Sequence, residues 1–278
     1  MNISVCITGW KRPDYFKQVI DGILSNKNYD QFKYIVSIDH GGKFDEHEHI
    51  LRDAKLKCEF IKHPKRLGCA GNVGYAFRRA FDHCDADAVI MLEDDTVPGS
   101  DMFDYMTKML ERYEHELDVW NISAYTRRGP VEKNIDSKHP QYAGRGDLNK
   151  VFRRDHFTSW AWATWRRTRD EIGDGWFGVH WNHKEGKTGT SCPRGDRFLE
   201  YVKICNTGSW AWPMNMYWRR DRIEVAPDVS RCQNVGATQG MFVPSAGWHH
   251  ENHHVEYWTG DGKYTLTDNI TFYEHNSI

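Results

Sequence analysis

The chain has 278 residues, 39% of them apolar and 27% charged, with a formal net charge of −2. That length suits one large domain or two small ones around a sizeable core. The charge excludes a protein that holds polyanions by bulk charge alone, though not one with a local basic groove. Seven cysteines lie scattered with no C-x-x-C pair, which argues against a disulfide framework or a zinc site and fits free thiols in a reducing cytosol.

The chain opens on "NISVCITGW", a strand pattern with no basic leader and no long apolar run. Neither a signal peptide nor a membrane span is expected, and a cytoplasmic location is. "ISVCITG" predicts a first strand. "DYFKQVIDGILSN" carries Phe16, Val19, Ile20, Ile23 and Leu24 at helical spacing, opened by Pro13 and Asp14. "KYIVSID" is a second strand, "DEHEHILRDA" a short polar helix, and "CEFIKH" a third strand. "AGNVGYAFRRAFDHC" is a helix with Val73, Ala76, Phe77 and Ala80 on one face. "DAVIML" is a fourth strand, and "SDMFDYMTKMLERYEHE" a helix with Ser100 or Asp101 at its cap. This βαβα rhythm predicts an α/β domain with a mostly parallel sheet covered by helices.

The second half is less regular. "DVWNISAY" predicts a strand, residues 127–150 a long polar loop, "FTSWAWATWRRTRDEI" a buried segment leading into a basic helix, and "RGDRFLEYVKICN" another helix. "DRIEVAPDVSRCQNVGATQGMF" reads as a strand, a proline turn and a glycine-rich loop. The expected organisation is a single domain over 1–278. Of the 12 Trp and 15 His, core packing accounts for most; the remainder suit a site for sugar-like ligands.

The fourth strand runs directly into Glu93, Asp94 and Asp95. Like charges this close repel and are costly near a core. In an open parallel sheet, ligands bind at the carboxyl ends of the strands. Thr8 to Arg12, Asp39 and Glu93 to Asp95 all follow predicted strands, so they are expected to converge there. Oxygen donors of this kind suit Mg²⁺ or Mn²⁺ together with substrate phosphates. The bland alternative is a solvated turn, with Arg12 a surface charge and Ser230 and Arg231 an ordinary turn after Pro227.

"VIMLEDDTVPGSDMFDYM" resembles the metal-binding segment of nucleotide-sugar glycosyltransferases of the GT-A fold, in particular the N-acetylglucosaminyltransferase I family. "YIVSIDHGGKFDEHEHIL", "VWNISAYTRRG" and "APDVSRCQNVGATQGMF" resemble successive segments of that family in the same order. "SWAWATWRR" is similar to bacterial cytosolic sugar transferases of the same fold. The resemblance implies a GT-A fold and a UDP-sugar donor with Mn²⁺ or Mg²⁺, with a nucleotide-sugar-binding half at 1–125 and, at 126–278, an acceptor-binding half and C-terminal lid or tail. It implies Asp95 as metal ligand, Asp94 on the ribose, Glu93 on a sugar hydroxyl, Asp39 on the uridine and Asn72 on the uracil. Arg12 would lie near the nucleotide. Ser230, Arg231, Gly236 and Gly240 would belong to a loop closing over the diphosphate.

The family's general base, an aspartate, corresponds here to Ala211 in "NTGSWAWPMNMYWRRDR". Asp196 in "CPRGDRFLEY" is the first replacement candidate, with Glu200 behind it; a helix cap is the competing role for Asp196. The tail "GWHHENHHVEYW" offers a late histidine as a further metal ligand. His250 is preferred there over His249, His253 and His254, and a His-rich surface loop is the alternative. The acceptor is expected to be a glycan or sugar-bearing molecule stacked on Trp faces. The alternative is a modified base in DNA, held through Arg153, Arg154, Arg166, Arg167, Arg169, Arg219 and Arg220. A non-catalytic sugar- or nucleotide-binding module is a further alternative.

Overall fold

The computed structural model describes residues 1–126, 149–154, 157–172, 181–182, 187–188, 222–237, 245–247, 249 and 273–274. The first half alternates as the periodicities predict: β1 (Ile3–Gly9), α1 (Pro13–Leu24), β2 (Lys33–Ile38), α2 (Phe44–Asp53), β3 (Cys58–Lys62), α3 (Gly68–His83) and β4 (Ala88–Glu93). A short β5 (Thr96–Pro98) precedes α4 (Met102–Arg112) and β6 (Val119–Ser123). Then come β7 (Lys150–Arg154), β8 (Trp162–Trp165), α5 (Arg166–Ile172), β9 (Trp181–Asn182), β10 (Lys187–Thr188), β11 (Ile223–Pro227), β12 (Cys232–Asn234) and β13 (Tyr273–Glu274).

Nine of the described strands form one sheet, ordered β13-β7-β11-β6-β8-β4-β1-β2-β3. β3, β2, β1 and β4 run parallel. β8 lies antiparallel between β4 and β6, and β11 is parallel to β6 but antiparallel to β7. Strands from both parts of the chain therefore share one sheet. No described helix is long and apolar enough to cross a membrane.

Every residue of β1 is buried, because helices cover both faces. This is why the strand reads as a continuous apolar run rather than an alternating one. Ile3, Val5 and Ile7 face a core shared with Phe16, Val19, Ile20 and Ile23 of α1 and with Met102, Phe103, Met106 and Met109 of α4. Cys6 points the other way, into the layer formed by Val73, Ala76, Phe77 and Ala80 of α3. Alternation of side chains along a strand supplies both cores from one sequence. Pro13 occupies the first turn of α1, where its missing amide hydrogen costs nothing.

The cap position of α4 falls on Asp101, one of the two residues expected there, but another side chain does the capping. Asp101 holds the cap position but makes no side-chain cap hydrogen bond. The amide of Phe103 donates instead to Asn26 Oδ1 at 3.1 Å, and Asn26 Nδ2 donates to the Gly99 carbonyl at 2.9 Å. A buried side chain from the end of α1 thus satisfies the helix start, which frees Asp101 for another partner.

Several short strands were not expected, β5, β7, β9, β10, β12 and β13 among them. β5 pairs antiparallel with β12, matching Thr96 to Asn234 and Pro98 to Cys232. Three residues are too few to reveal a period, so the acidic segment reads as passing straight into a helix. β7 begins at Lys150, at the end of the expected loop. Residues 127–148 of that loop and the helix expected in "RGDRFLEYVKICN" lie outside the described residues.

Candidate functional site

The acids converge with the first strand's exit, at the carboxyl edge of the sheet. β1 and β4 are in register with Thr8 opposite Glu93, so the residues just beyond each strand meet. Asp94 and Asp95 are 2% and 5% exposed. Arg12, immediately before α1, bridges them: it donates to Asp95 Oδ2 at 2.6 Å and also to Asp94 Oδ1. Asp94 Oδ2 accepts from the Trp10 amide at 3.1 Å. Asp95 Oδ1 accepts from Asn234 Nδ2 at 3.3 Å. Burial raises both carboxyls above the ordinary range, and Arg12 opposes that rise. Burial disfavours the Arg12 charge as well, but Asp94 and Asp95 more than offset it and hold its pKa above the usual value.

The late loop reaches the acids through its backbone and Asn234. The Val235 amide donates to the Asp95 carbonyl at 2.8 Å. Asn234 Oδ1 accepts from the Gly236 amide at 3.0 Å and from His249 Nε2 at 2.8 Å, so the amide orientation that serves Asp95 is fixed from the other side. Gly9 lies equally close on the β1 side: a Cβ there would fall 3.0 Å from the Asp94 Cβ.

Next to the acids, β1 and β2 stay paired to their carboxyl ends. The Asp39 amide donates to the Gly9 carbonyl at 3.0 Å. Asp39 Oδ1 accepts from the amides of His40 and Leu67, both at 2.8 Å, and Oδ2 from the Gly68 amide at 2.9 Å. Gly68 has φ +73, a conformation glycine adopts without steric penalty. Asp39 therefore anchors the start of α3. Asn72 Nδ2 donates to the carbonyls of Ser37 at 3.0 Å and Gly9 at 3.3 Å, and Oδ1 accepts from Ser37 Oγ at 2.6 Å. His63 Nε2 donates to that same hydroxyl at 2.8 Å. Thr8 donates to the Leu92 carbonyl at 3.4 Å.

The structure does not bring every expected residue to the acids. Ser230 is fully buried and donates to the Cys232 carbonyl at 2.8 Å. Arg231 is 0% exposed, pairs with Asp101 and lies 5.7 Å from the Tyr105 ring centre. Both side chains fasten the loop to the body of the protein. Asp196, Glu200 and His250 lie outside the described residues; His249 is the described histidine of that tail.

The described arginines of the basic clusters are paired within the chain, Arg154 in the interior and Arg153, Arg166 and Arg169 partly exposed. Arg153 pairs with Glu116 and Asp118, Arg154 with Glu224, Arg166 with Asp85 and Arg169 with Asp82. Arg167 donates to the carbonyls of Tyr113, Glu114, Glu116 and Val119 and lies 4.3 Å from the Trp165 ring centre. Trp162 is fully buried against Phe77. Each of these arginines has an acid or a carbonyl of the chain as partner, and nothing in the comparisons with known proteins supports a DNA acceptor; Arg219 and Arg220 lie outside the described residues.

One feature at the edge carried no motif. The Trp10 ring has Arg66 at 4.1 Å and Lys11 at 4.3 Å from its centre, and its Nε1 donates to the His40 carbonyl at 3.0 Å. The signal available was a bulky aromatic immediately after a buried strand. Asn234 was equally silent, its role being set by a partner 139 residues away.

Among the described residues, no group of three or more His, Cys, Asp and Glu side chains converges as a metal site. The donor chemistry nonetheless fits a hard divalent cation: two adjacent buried carboxylates already hold one cationic group. Mg²⁺ and Mn²⁺ are commonly held by one or two carboxylates, with waters and phosphate oxygens completing the shell.

Comparison with known proteins places this geometry in context. The model for glycosyl transferase family 2 matches residues 4–173, more than half of the chain. No curated protein sequence matches it. Among solved structures, a mannosyltransferase from Pyrobaculum calidifontis in complex with GDP-Man and Mn²⁺ is similar at 16% identity, covering 62% of this chain and 46% of that one, with a TM-score of 0.44. TarS 1-349 of S. aureus is 14% identical over 62% of this chain and 50% of its own, TM-score 0.44. Glucosyl-3-phosphoglycerate synthase of Mycobacterium tuberculosis, with Mn²⁺, UDP-glucose and phosphoglyceric acid, is 16% identical over 60% and 57%, TM-score 0.37. The chain spans about half the length of these structures. The family match and the helix-flanked, mostly parallel sheet make the fold GT-A.

Proposed function

The chain belongs to glycosyl transferase family 2, and we propose that it moves a sugar from a UDP-sugar to a hydroxyl of a glycan or sugar-bearing acceptor, with Mn²⁺ or Mg²⁺ at Asp94 and Asp95. The observation that carries this reading is the pair of adjacent buried carboxylates at the end of β4, bridged by Arg12. Fully ionised, such a pair needs a positive charge beside it, and the edge of the sheet is where a donor would bind. The uridine preference is supported by the resemblance of the Asp39 and acidic segments to the N-acetylglucosaminyltransferase I family.

Each residue then has a task. Asp95 would hold the cation, as the resemblance implies; Asp94, given to the ribose there, is proposed to share it because Arg12 bridges both acids, and Asn234 would orient Asp95. Bound there, the divalent cation would neutralise the charge that develops on the departing diphosphate. Asp39 fixes the turn at Leu67 and Gly68, which would line the nucleoside crevice with Asn72 beneath it. Glu93 would meet a sugar hydroxyl. The acceptor hydroxyl attacks the anomeric carbon and loses its proton to a base, for which Asp196 is the candidate and Glu200 its neighbour.

The test is a donor screen reading UDP release across several UDP-sugars, with GDP-mannose as control, each with and without Mn²⁺. Accelerated UDP release that disappears in Asp95→Asn supports the reading. Tight UDP-sugar binding with no release would instead identify a binding module, and no response to any nucleotide sugar would overturn both. Asp196→Asn, folded but with normal turnover, would remove Asp196 as the base.

A further inference from the structure

Resting on the reading of this edge as a metal and diphosphate site, we infer that Arg12 is an internal countercation: it occupies the acid pair until a nucleotide diphosphate draws it away, so that metal binding is coupled to nucleotide binding. The argument starts from the four carboxylate oxygens of Asp94 and Asp95. Each has a protein partner, and the partners differ in how readily they can leave. Asp94 Oδ2 is held by the backbone amide of Trp10, which cannot withdraw without moving the end of β1. Asp95 Oδ1 is held by Asn234, itself fixed by Gly236 and by buried His249. The other two oxygens, Asp94 Oδ1 and Asp95 Oδ2, are held by the two terminal nitrogens of one long side chain.

That side chain is 18% exposed while the acids are almost fully buried, so it enters the pair from the solvent side. Its backbone lies outside the helix, at the cap position of α1, where rotation of the side chain disturbs no helical hydrogen bond. The oxygens that Arg12 covers are therefore the ones a metal can reach, and they become available only when the guanidinium leaves. A guanidinium and a divalent cation on the same two oxygens repel each other strongly in a buried site. A diphosphate removes the conflict, because planar, always-charged Arg exchanges readily between carboxylate and phosphate oxygens.

Two binding events that share one displaced group are linked, and the linkage is reciprocal. Nucleotide must then tighten metal binding, and metal must tighten nucleotide binding by the same factor.

The experiment titrates Mn²⁺ into the full chain, following free Mn²⁺ by electron paramagnetic resonance, with and without UDP. For the unaltered protein, UDP tightens Mn²⁺ binding by about tenfold or more, within the usual span of coupled sites. In Arg12→Gln, Mn²⁺ alone binds about tenfold tighter than in the unaltered protein, and the UDP effect shrinks by that same factor, leaving the part supplied by phosphate oxygens in the metal's shell. Arg12→Lys keeps the charge but cannot bridge both acids, and falls between the two; it decides the matter if circular dichroism shows Arg12→Gln unfolded. Variants that bind Mn²⁺ alone no tighter than the unaltered protein, while that protein still binds Mn²⁺ with UDP, overturn this inference and leave the metal site standing. No Mn²⁺ binding by the unaltered protein, with or without UDP, overturns the metal reading and the inference together.

Discussion

A Cβ placed on Gly236 would fall 2.3 Å from Oδ2 of Asp95 and 3.1 Å from its Cγ. The glycine is required by space: the loop that follows β12 lies directly on the acid. Gly236→Ala therefore forces either the loop or the carboxylate aside. A displacement of this order at a reacting centre costs about 10²-fold in rate, and that loss is expected in metal-dependent UDP release, with little change in melting temperature. Unchanged release would show that Asp95 is remote from the chemistry.

Asn234 is the side chain that orients Asp95. Asn234→Ala is expected to weaken Mn²⁺ binding, measured in the presence of UDP, by about 10- to 100-fold, the range for loss of a group that positions a metal ligand. The fold should survive, since β12 retains its backbone pairing with β5.

Away from the site, Arg154 and Asn121 hold Glu224 in the interior, and all three are buried. Burial raises the Glu224 carboxyl while Arg154 opposes it. Arg154→Met strands this acid and is expected to cost about 3–5 kcal/mol of unfolding free energy in a denaturant titration. The double change Arg154→Met with Glu224→Leu should recover most of the loss. A double variant as unstable as the single one would mean that Arg154 matters for its packing rather than its charge.

His47 is fully buried against Phe16, and its Nδ1 donates to the Lys43 carbonyl at 2.7 Å. Burial lowers its pKa below the ordinary imidazole value of 6.5. Below about pH 6.5 the unfolded ring takes up a proton that the folded ring refuses, so stability is full above that pH and falls as the pH drops through the folded value. His63, lowered chiefly by burial with Asp39 opposing, adds to the same acid limb. His47→Leu should flatten the fall in denaturation midpoint below this pH. A slope identical to that of the unaltered protein would exclude His47 as a contributor.

The parts of this fold that were legible in the sequence are those written locally. Helical spacing in α1 and α3, the apolar runs of β1, β2 and β4, and the position of the acids straight after β4 each depend on residues close in the chain. What escaped depends on partners chosen by the folded state. Arg231 sits in a loop resembling one that closes over a diphosphate, yet its guanidinium belongs to Asp101, 130 residues earlier. The arginines near the tryptophans look like a polyanion surface in one dimension. In three, Arg167 serves four backbone carbonyls and Arg154 a buried glutamate. Asn26 caps a helix that starts 76 positions after it, and no capping pattern near α4 announces this.

The pairing of β5 with β12 also bears on how the chain comes into being. During synthesis the acids emerge early, with β4, but the strand that closes over them follows only after a further 137 residues or more. A chain grown to residue 126 holds the β1 to β4 segments with Asp94 and Asp95 but neither Asn234 nor Gly236. Contacts so distant in sequence close late and slowly. Strands β8, β11 and β13 of the same sheet are also made late, so a chain lacking the β12 segment would hold the parallel β3-β2-β1-β4 strands without Asn234 and Gly236 beside Asp95.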